Sequence, residues 1–152
     1  MSELIKIKED AIKIQERDLE DTVKSIENEN TKSSFVLGFV GIIIGIFFNS
    51  SIILPFNLLI FISTLILCTV SCALFNIWAK ASKIHNNVDS IFVNNEPREF
   101  EKYLNYKHLR LRESYNEAKK LLYKKALFTK LSYILLVLAL LSIFIYKIYS
   151  YV

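Results

Sequence analysis

The chain has 152 residues, a formal net charge of +4 and an apolar fraction of 53%, and its mean hydropathy is positive. Most of the apolar residues fall in long uncharged runs, which excludes a large water-soluble core and predicts a membrane protein. The two cysteines, Cys68 and Cys72, lie four residues apart on one predicted helix, so they cannot form an unstrained disulfide with each other.

Residues 1–32 predict an amphipathic helix outside the membrane. Apolar side chains recur every seven residues, at Ile5, Ile12, Leu19 and Ile26. The intermediate positions are polar, and the segment has nine Asp or Glu against six Lys or Arg. The pattern favours a solvated helix with a narrow docking stripe. An oligomerising coiled coil and a helix on the membrane surface remain alternatives.

Residues 33–79 predict two membrane-spanning helices. This run has 47 residues and no charge, whereas one crossing takes about 20 residues. A polar break at Asn49 and a turn at Pro55 divide it into a first span, 33–54, and a second span, 56–79. The expected arrangement is a helical hairpin in the bilayer.

A basic segment, 80–126, and a third span, 127–152, complete the prediction. Pro97 suits the first turn of a helix, and no Pro or Gly follows it, so one helix is expected to run from the basic segment into the bilayer. Its apolar stripe consists of Phe100, Leu104, Leu111, Tyr115, Ala118 and Leu122. Lys130 and Lys147 bracket sixteen uncharged residues of the third span.

Charge orients the spans. The loop between the first two spans has no Lys or Arg, whereas residues 80–126 have eleven Lys or Arg against six Asp or Glu. The positive-inside rule places this basic segment in the cytoplasm. The sequence thus predicts an all-α membrane protein with three spans, cytoplasmic helices in 1–32 and 80–126, an inner N-terminus and an outer C-terminus.

Small residues form a stripe on each of the first two spans. The first stripe consists of Ser34, Gly38, Gly41 and Gly45. It permits close approach of another helix, either from the same chain or from a second copy in a homo-oligomer. The second stripe consists of Thr64, Cys68, Ser71 and Cys72. It is either a packing face or the wall of a narrow uncharged pore.

The basic segment supplies candidate contacts for an anion. They are Lys107, Arg110, Arg112, Lys119 and Lys120. These side chains attract anionic headgroups, pair with the acidic residues of 1–32, or bind a phosphate-bearing ligand through the fork of Arg110 or Arg112. No aromatic platform accompanies them, so a nucleic acid duplex is not an expected partner.

Residues suited to catalysis are scarce. His85 and His108 are the only histidines, neither has a metal-ligand spacing, and all three glycines lie in the first span instead of a phosphate-binding loop. The hairpin 33–79 carries no charged group for intramembrane chemistry. We therefore expect neither an enzyme nor a cofactor or metal.

Two stretches carry a resemblance to a known family. The first begins the first span and reads Asn30-Thr31-Lys32-Ser33-Ser34-Phe35-Val36-Leu37-Gly38-Phe39-Val40-Gly41. The second ends the charged helix before the last span and reads Tyr123-Lys124-Lys125-Ala126. In these stretches and in the order of its elements, the chain resembles the Pycsar effector transmembrane family and the SLATT-type membrane effectors of bacterial anti-phage defence.

The resemblance implies an oligomeric effector of the bacterial inner membrane. Such an effector permeabilises or depolarises the membrane when a partner cyclase makes a nucleotide second messenger, which stops phage replication together with the host cell. Two alternatives from other classes stay open. One is an accessory membrane subunit that holds a soluble partner, and the other is a phage holin.

Overall fold

The structure, a computed structural model, describes residues 2–49, 54–79 and 97–151. These residues form three helices: α1 (Ser2–Asn49), α2 (Phe56–Trp78) and α3 (Pro97–Tyr151). The expected all-α class is confirmed. Residues 50–53 of the predicted turn and residues 80–96, for which turns are expected, lie outside the described residues.

The helix bounds follow from local chemistry. α3 begins at Pro97 and continues for 55 residues, as its lack of an internal Pro or Gly predicts. α2 begins after Pro55, whose carbonyl accepts the N–H groups of Leu58 and Leu59 at 3.0 Å. It ends at Trp78, where Ala79 turns to an extended backbone. The predicted helix 1–32 and the start of the first span form one continuous helix, α1.

The chain divides into two compact units. The first unit contains Met1–Glu27 and Lys80–Tyr123, and the second contains Asn28–Ala79 and Lys124–Val152. α1 and α3 each contribute one part to both units, whereas α2 belongs to the second.

The first unit is a parallel pair of helices. Its core joins the predicted stripe of α1 to that of α3, and its buried members are Ile12, Leu19, Ile26, Leu104, Leu111 and Ala118. Two polar contacts flank the core: Lys8 with Glu101 at 2.7 Å and Gln15 with His108 at 2.7 Å. In both, the partners are 93 residues apart. A constant separation means that the two helices run in the same direction.

The polar residues between the apolar positions of α1 explain this pairing. Lys8 and Gln15 lie where a coiled coil with two apolar positions per heptad carries further apolar residues. In the first unit these positions make polar contacts to α3. The narrow docking stripe predicted for residues 1–32 is therefore the face that packs on α3 of the same chain.

The second unit is a bundle of three helices. Its apolar core consists of Val36, Val40, Ile43, Ala73 and Leu136. α1 and α3 again run in parallel, because Asn30 and Ser33 contact residues 95 and 96 positions later in the sequence. Asn76, near the end of α2, contacts Ser33 of α1, so α2 runs antiparallel to α1. Phe75 and Phe128 pack with ring centroids 4.8 Å apart.

Within the described residues, two helices are long and apolar enough to cross a membrane. They are Phe56–Trp78 and Phe100–Tyr149. These helices contain the predicted second and third spans. The predicted first span, 33–54, has its apolar residues in α1 and includes residues 50–53, outside the described part of the chain.

Candidate functional site

A buried polar cluster links the three helices of the second unit. The amide of Asn76 on α2 lies 2.6 Å from the hydroxyl of Ser33 on α1 and 2.5 Å from that of Thr129 on α3. Ser33 and Thr129 are also within 3.4 Å of each other. All three side chains are buried, and Ser132 beside them donates to the Thr129 carbonyl at 2.8 Å. Each helix therefore contributes one polar group to a single network.

The amide of Asn76 has hydrogen-bonding capacity to spare. Its Oδ1 is buried and has no partner among the described residues. The 2.5 and 2.6 Å contacts of the amide nitrogen are as short as typical O–H···O bonds. If the amide is turned over, Oδ1 accepts hydrogen bonds from both hydroxyls. In the orientation described, the buried Oδ1 is the unused end of the amide.

Lys125 stabilises the C-terminal end of α2. Its ammonium donates to Asn30 Oδ1 at 2.6 Å and to the backbone carbonyl of Asn76, in the last turn of α2. Carbonyls in the last turn of a helix lack intrahelical donors, and the negative end of the helix dipole favours a cation. Lys125 is only 1% exposed, and both acceptors are neutral. Burial therefore lowers the pKa of Lys125.

The sequence alone predicts other positions for two of these residues. Asn76, near the end of an uncharged span, is expected at the membrane interface, and Lys125, in the basic segment 80–126, is expected to be exposed. Both apolar stripes nevertheless contain the missing signal: Ser33 continues the seven-residue spacing of Ile12, Leu19 and Ile26, and Lys125 continues that of Leu104, Leu111 and Ala118. Extending the two periods by one heptad finds the buried polar layer.

The glycine stripe of α1 faces away from the packed core. Gly38, Gly41 and Gly45 are exposed, and a Cβ atom added to any of them has no described neighbour within 4 Å. Ser34 is exposed as well and donates only to the Asn30 carbonyl. The intrachain alternative for this stripe therefore does not hold among the described residues, since α1 packs through Val36, Val40 and Ile43.

The small polar stripe of α2 is also on the outside. Thr64, Cys68 and Ser71 are exposed, and Cys72 is partly buried. The hydroxyls of Thr64 and Ser71 donate to the carbonyls four residues earlier, at 2.8 and 2.9 Å. This is the bonding expected of a hydroxyl that needs no partner from another helix. The buried face of α2 is a different one, made by Ile62, Thr69, Ala73 and Asn76.

The five candidate basic residues of α3 differ in which side chains they contact. Lys107 pairs with Glu16 at 2.9 Å, so one of the five candidates contacts the acidic segment, which is one of the three alternatives for these residues. Arg110 Nε donates a hydrogen bond to the phenol oxygen of Tyr106 at 2.9 Å. The guanidinium of Arg110 also lies 3.5 Å from the Glu113 carboxylate. The ammonium of Lys119 lies 5.7 Å from the centre of the Tyr115 ring. Arg112 and Lys120 have no hydrogen bond or ion pair among the described residues.

Arg112 lies in a cleft of the first unit. The cleft has a volume of about 300 Å³, near the lower bound of common small-molecule sites. Its lining residues come from α1 and α3 and are Gln15, Asp18, His108, Arg112, Tyr115 and Asn116. All six carry hydrogen-bonding groups. One side-chain hydrogen bond joins two of them, from His108 Nδ1 to Gln15 Oε1 at 2.7 Å.

No group of three or more His, Cys, Asp and Glu side chains is placed to hold a metal ion in the described ranges. The chain gives no match to protein-family models, to curated proteins or to solved structures.

Proposed function

We propose that this chain is an oligomeric, non-enzymatic membrane effector that permeabilises the bacterial inner membrane when a nucleotide ligand reaches its cytoplasmic unit. One observation carries the proposal. In the second unit large apolar side chains are exposed all along the helices, and the interior holds four polar residues, Ser33, Asn76, Lys125 and Thr129, beside a small apolar core. Apolar surfaces this large are rare on soluble monomers. A lipid environment accounts for them.

The exposure of large apolar side chains on α1 supports three membrane spans. Phe35, Phe39, Ile42 and Ile46 of α1 are each at least 56% exposed. This part of α1 also shares the apolar core of the second unit with α2 and α3, the two helices that are apolar enough to cross a membrane. A helix packed against two spans needs lipid on its outer face as they do. We therefore assign the first span to the apolar part of α1.

Helix direction supports an inner N-terminus and an outer C-terminus. In the second unit α1 and α3 are parallel, so both enter the bilayer from the same side. Most of the charged residues precede the apolar part of each helix. Since the segment 80–126 is strongly basic, that side is the cytoplasm.

Assembly of several copies accounts for permeabilisation. The glycine stripe of α1 is exposed, with no atom of another described helix within 4 Å of an added Cβ, and three of the four residues in the polar stripe of α2 are exposed as well. Glycine permits close backbone approach between membrane helices. Once copies pack through α1, the exposed Thr64 and Ser71 hydroxyls can line an uncharged path for ions. The resemblance to anti-phage effectors supplies the trigger, a nucleotide from a partner cyclase.

A liposome experiment tests this function. The full chain is reconstituted into vesicles that hold a potassium gradient, and a potential-sensitive dye is recorded before and after each mononucleotide is added. We expect one of the nucleotides to dissipate the potential within minutes, with empty vesicles as the control. A potential that persists with every nucleotide, at several protein-to-lipid ratios, contradicts the proposal. In cells, depolarisation should follow phage infection only when the chain and its cyclase are both present.

An accessory role is the second candidate. Leu4, Ile7 and Ile14 of α1 are at least 62% exposed in the otherwise charged first unit. Their spacing places them on one side of the helix. A scaffold that holds a soluble partner on this surface would leave the vesicle potential unchanged and would release that partner when Ile7 and Ile14 are changed to Ser.

A further inference from the structure

We propose that the cleft of the first unit binds a phosphate-bearing small molecule of nucleotide size, with Arg112 contacting the phosphate and Asp18 accepting a hydrogen bond from the base. This inference deepens the proposed function, on which it rests, by assigning the ligand site.

Arg112 is the group suited to the phosphate. Its guanidinium has five donors in a planar fork, which fits two phosphate oxygens at once. It lines the cleft and is engaged by no described side chain. Arg110, two residues earlier, is held by Tyr106 and Glu113 and does not line the cleft. Arg112 is therefore available to bind a ligand in the cleft, whereas Arg110 already contacts other side chains.

Asp18 restricts the class of ligand. Its carboxylate lines the same cleft and has no described partner, and it forms no ion pair with Arg112. A carboxylate repels a bare phosphate and accepts hydrogen bonds from N–H groups. A ligand that satisfies both Arg112 and Asp18 therefore has an anionic end and a donor end. A nucleotide with an amino group on its base has both.

The other lining residues suit the same ligand. Gln15 accepts from His108 Nδ1, so the second ring nitrogen of His108, Nε2, is not used in this contact. Tyr115 adds a phenol to the lining, and Asn116 adds an amide that donates and accepts. The volume of about 300 Å³ suits a mononucleotide better than a peptide.

Calorimetric titration of the full chain in detergent micelles tests the site. The probes are the four 5′-mononucleotides, the four 3′,5′-cyclic mononucleotides, ribose 5-phosphate and inorganic phosphate. We expect at least one nucleotide with a base amino group to bind at least tenfold more tightly than ribose 5-phosphate or inorganic phosphate. If none of the eight nucleotides binds to the folded protein, the site assignment is overturned.

Matched variants locate the site. Arg112→Gln should weaken nucleotide binding at least tenfold, whereas Arg110→Gln should change it less than twofold. Asp18→Asn should weaken binding of that amino-bearing nucleotide at least fivefold while inorganic phosphate binds equally or more tightly. Equal weakening by both arginine variants would mean that general basicity is responsible and would overturn the role of Arg112.

The two proposals fail in different ways. Nucleotide binding that depends on Arg112, in vesicles that keep their potential, supports the site and contradicts the effector function. Nucleotide-dependent loss of potential that is unaffected by Arg112→Gln supports the effector function and contradicts the site. The circular dichroism spectrum of each variant establishes that the helices are intact.

Discussion

The buried polar residues of the second unit fix the alignment of its three helices relative to one another. Apolar helices in lipid gain little from hydrophobic burial, so packing and hydrogen bonds select one arrangement among several. The Asn76 amide meets Ser33 and Thr129 only when three helices have one particular alignment. Slipping any helix by one turn would leave these groups without partners in an apolar interior, which is unfavourable. The network therefore fixes alignment more than it adds stability.

Lys125 contributes to the stability of the same alignment. Replacing it by Met keeps much of the volume but removes the donor to Asn30 and to the Asn76 carbonyl. Buried acceptors left without a donor are unfavourable by about 1–3 kcal/mol each. Part of this loss is offset because a desolvated charge is removed. We expect Lys125→Met to lower the free energy of unfolding by about 1–3 kcal/mol at neutral pH, measured by thermal unfolding in detergent.

The sign of the pH effect follows from the lowered pKa of Lys125. Its ordinary value is 10.5, and burial lowers it in the folded chain. Between the lowered pKa and 10.5 the unfolded chain binds more protons, so the stability contributed by this group rises with pH in that window. Lys125→Met should remove that rise. Exposed Lys124→Met is the control and should leave the slope as in the wild type; identical slopes for both variants would contradict the assignment.

At the scale of the element, the buried core of the parallel pair α1–α3 has one apolar residue per heptad from each helix, and partly buried apolar residues such as Val23 and Tyr115 pack against it. Leu19 is 6% exposed in that core, whereas Ile14, five residues earlier on α1, is 62% exposed. Truncation of a buried leucine to alanine lowers stability by about 2–5 kcal/mol, and truncation on the surface by about 0.5 kcal/mol or less.

We expect Leu19→Ala to melt the first unit at a markedly lower temperature and Ile14→Ala to leave it almost unchanged. Hydrogen exchange of the α1 amides reports this locally, without a need for reversible unfolding of the whole chain. Faster exchange in residues 8–22 should accompany the first variant only. Equal protection in both variants would mean that α1 is stable without its contact to α3.

How far the sequence predicts these elements depends on which interactions set them. The start of α3 at Pro97 and its unbroken length follow from proline and glycine chemistry, which is local. The stripe from Ile12 to Ile26 follows from a period of seven. The partner of that stripe does not, since residues about 93 positions apart are brought together only by the whole topology.

The candidate sites likewise combine features that local sequence predicts with features that only the tertiary structure shows. Arg112 is identifiable as a phosphate-binding residue from its type alone, and the contact of Arg110 with Tyr106 follows from their spacing of four residues on one helix. The cleft that Arg112 lines together with residues of α1 depends on tertiary structure. Asn76 and Lys125 are polar residues next to apolar spans, a position that ordinarily indicates an interface. The burial of Lys125, and of Ser33 which contacts Asn76, becomes predictable only when the heptads of α1 and α3 are extended past Ile26 and Ala118.

At the scale of the whole molecule, the outward glycine stripe predicts how copies assemble. Leucine at Gly41 and Gly45 meets no described atom of the chain within 4 Å of its Cβ, so the fold of the monomer should tolerate it. A second helix, however, can no longer approach closely at these positions. We expect Gly41→Leu/Gly45→Leu to convert oligomers to monomers in detergent, measured by light scattering coupled to size exclusion, and to abolish nucleotide-dependent loss of vesicle potential.

The matched control lies on the same helix. Ile42 and Ile46 are also exposed, at 60% and 57%, but are already large, so Ile42→Leu/Ile46→Leu changes neither volume nor hydrophobicity greatly. This control should keep the wild-type oligomer and its activity. Nucleotide binding should survive in both variants, because the cleft lies in the first unit. Oligomers that persist in the glycine variant would show that copies associate through another face, and the polar stripe of α2 at Thr64 and Ser71 would then be the surface to change next.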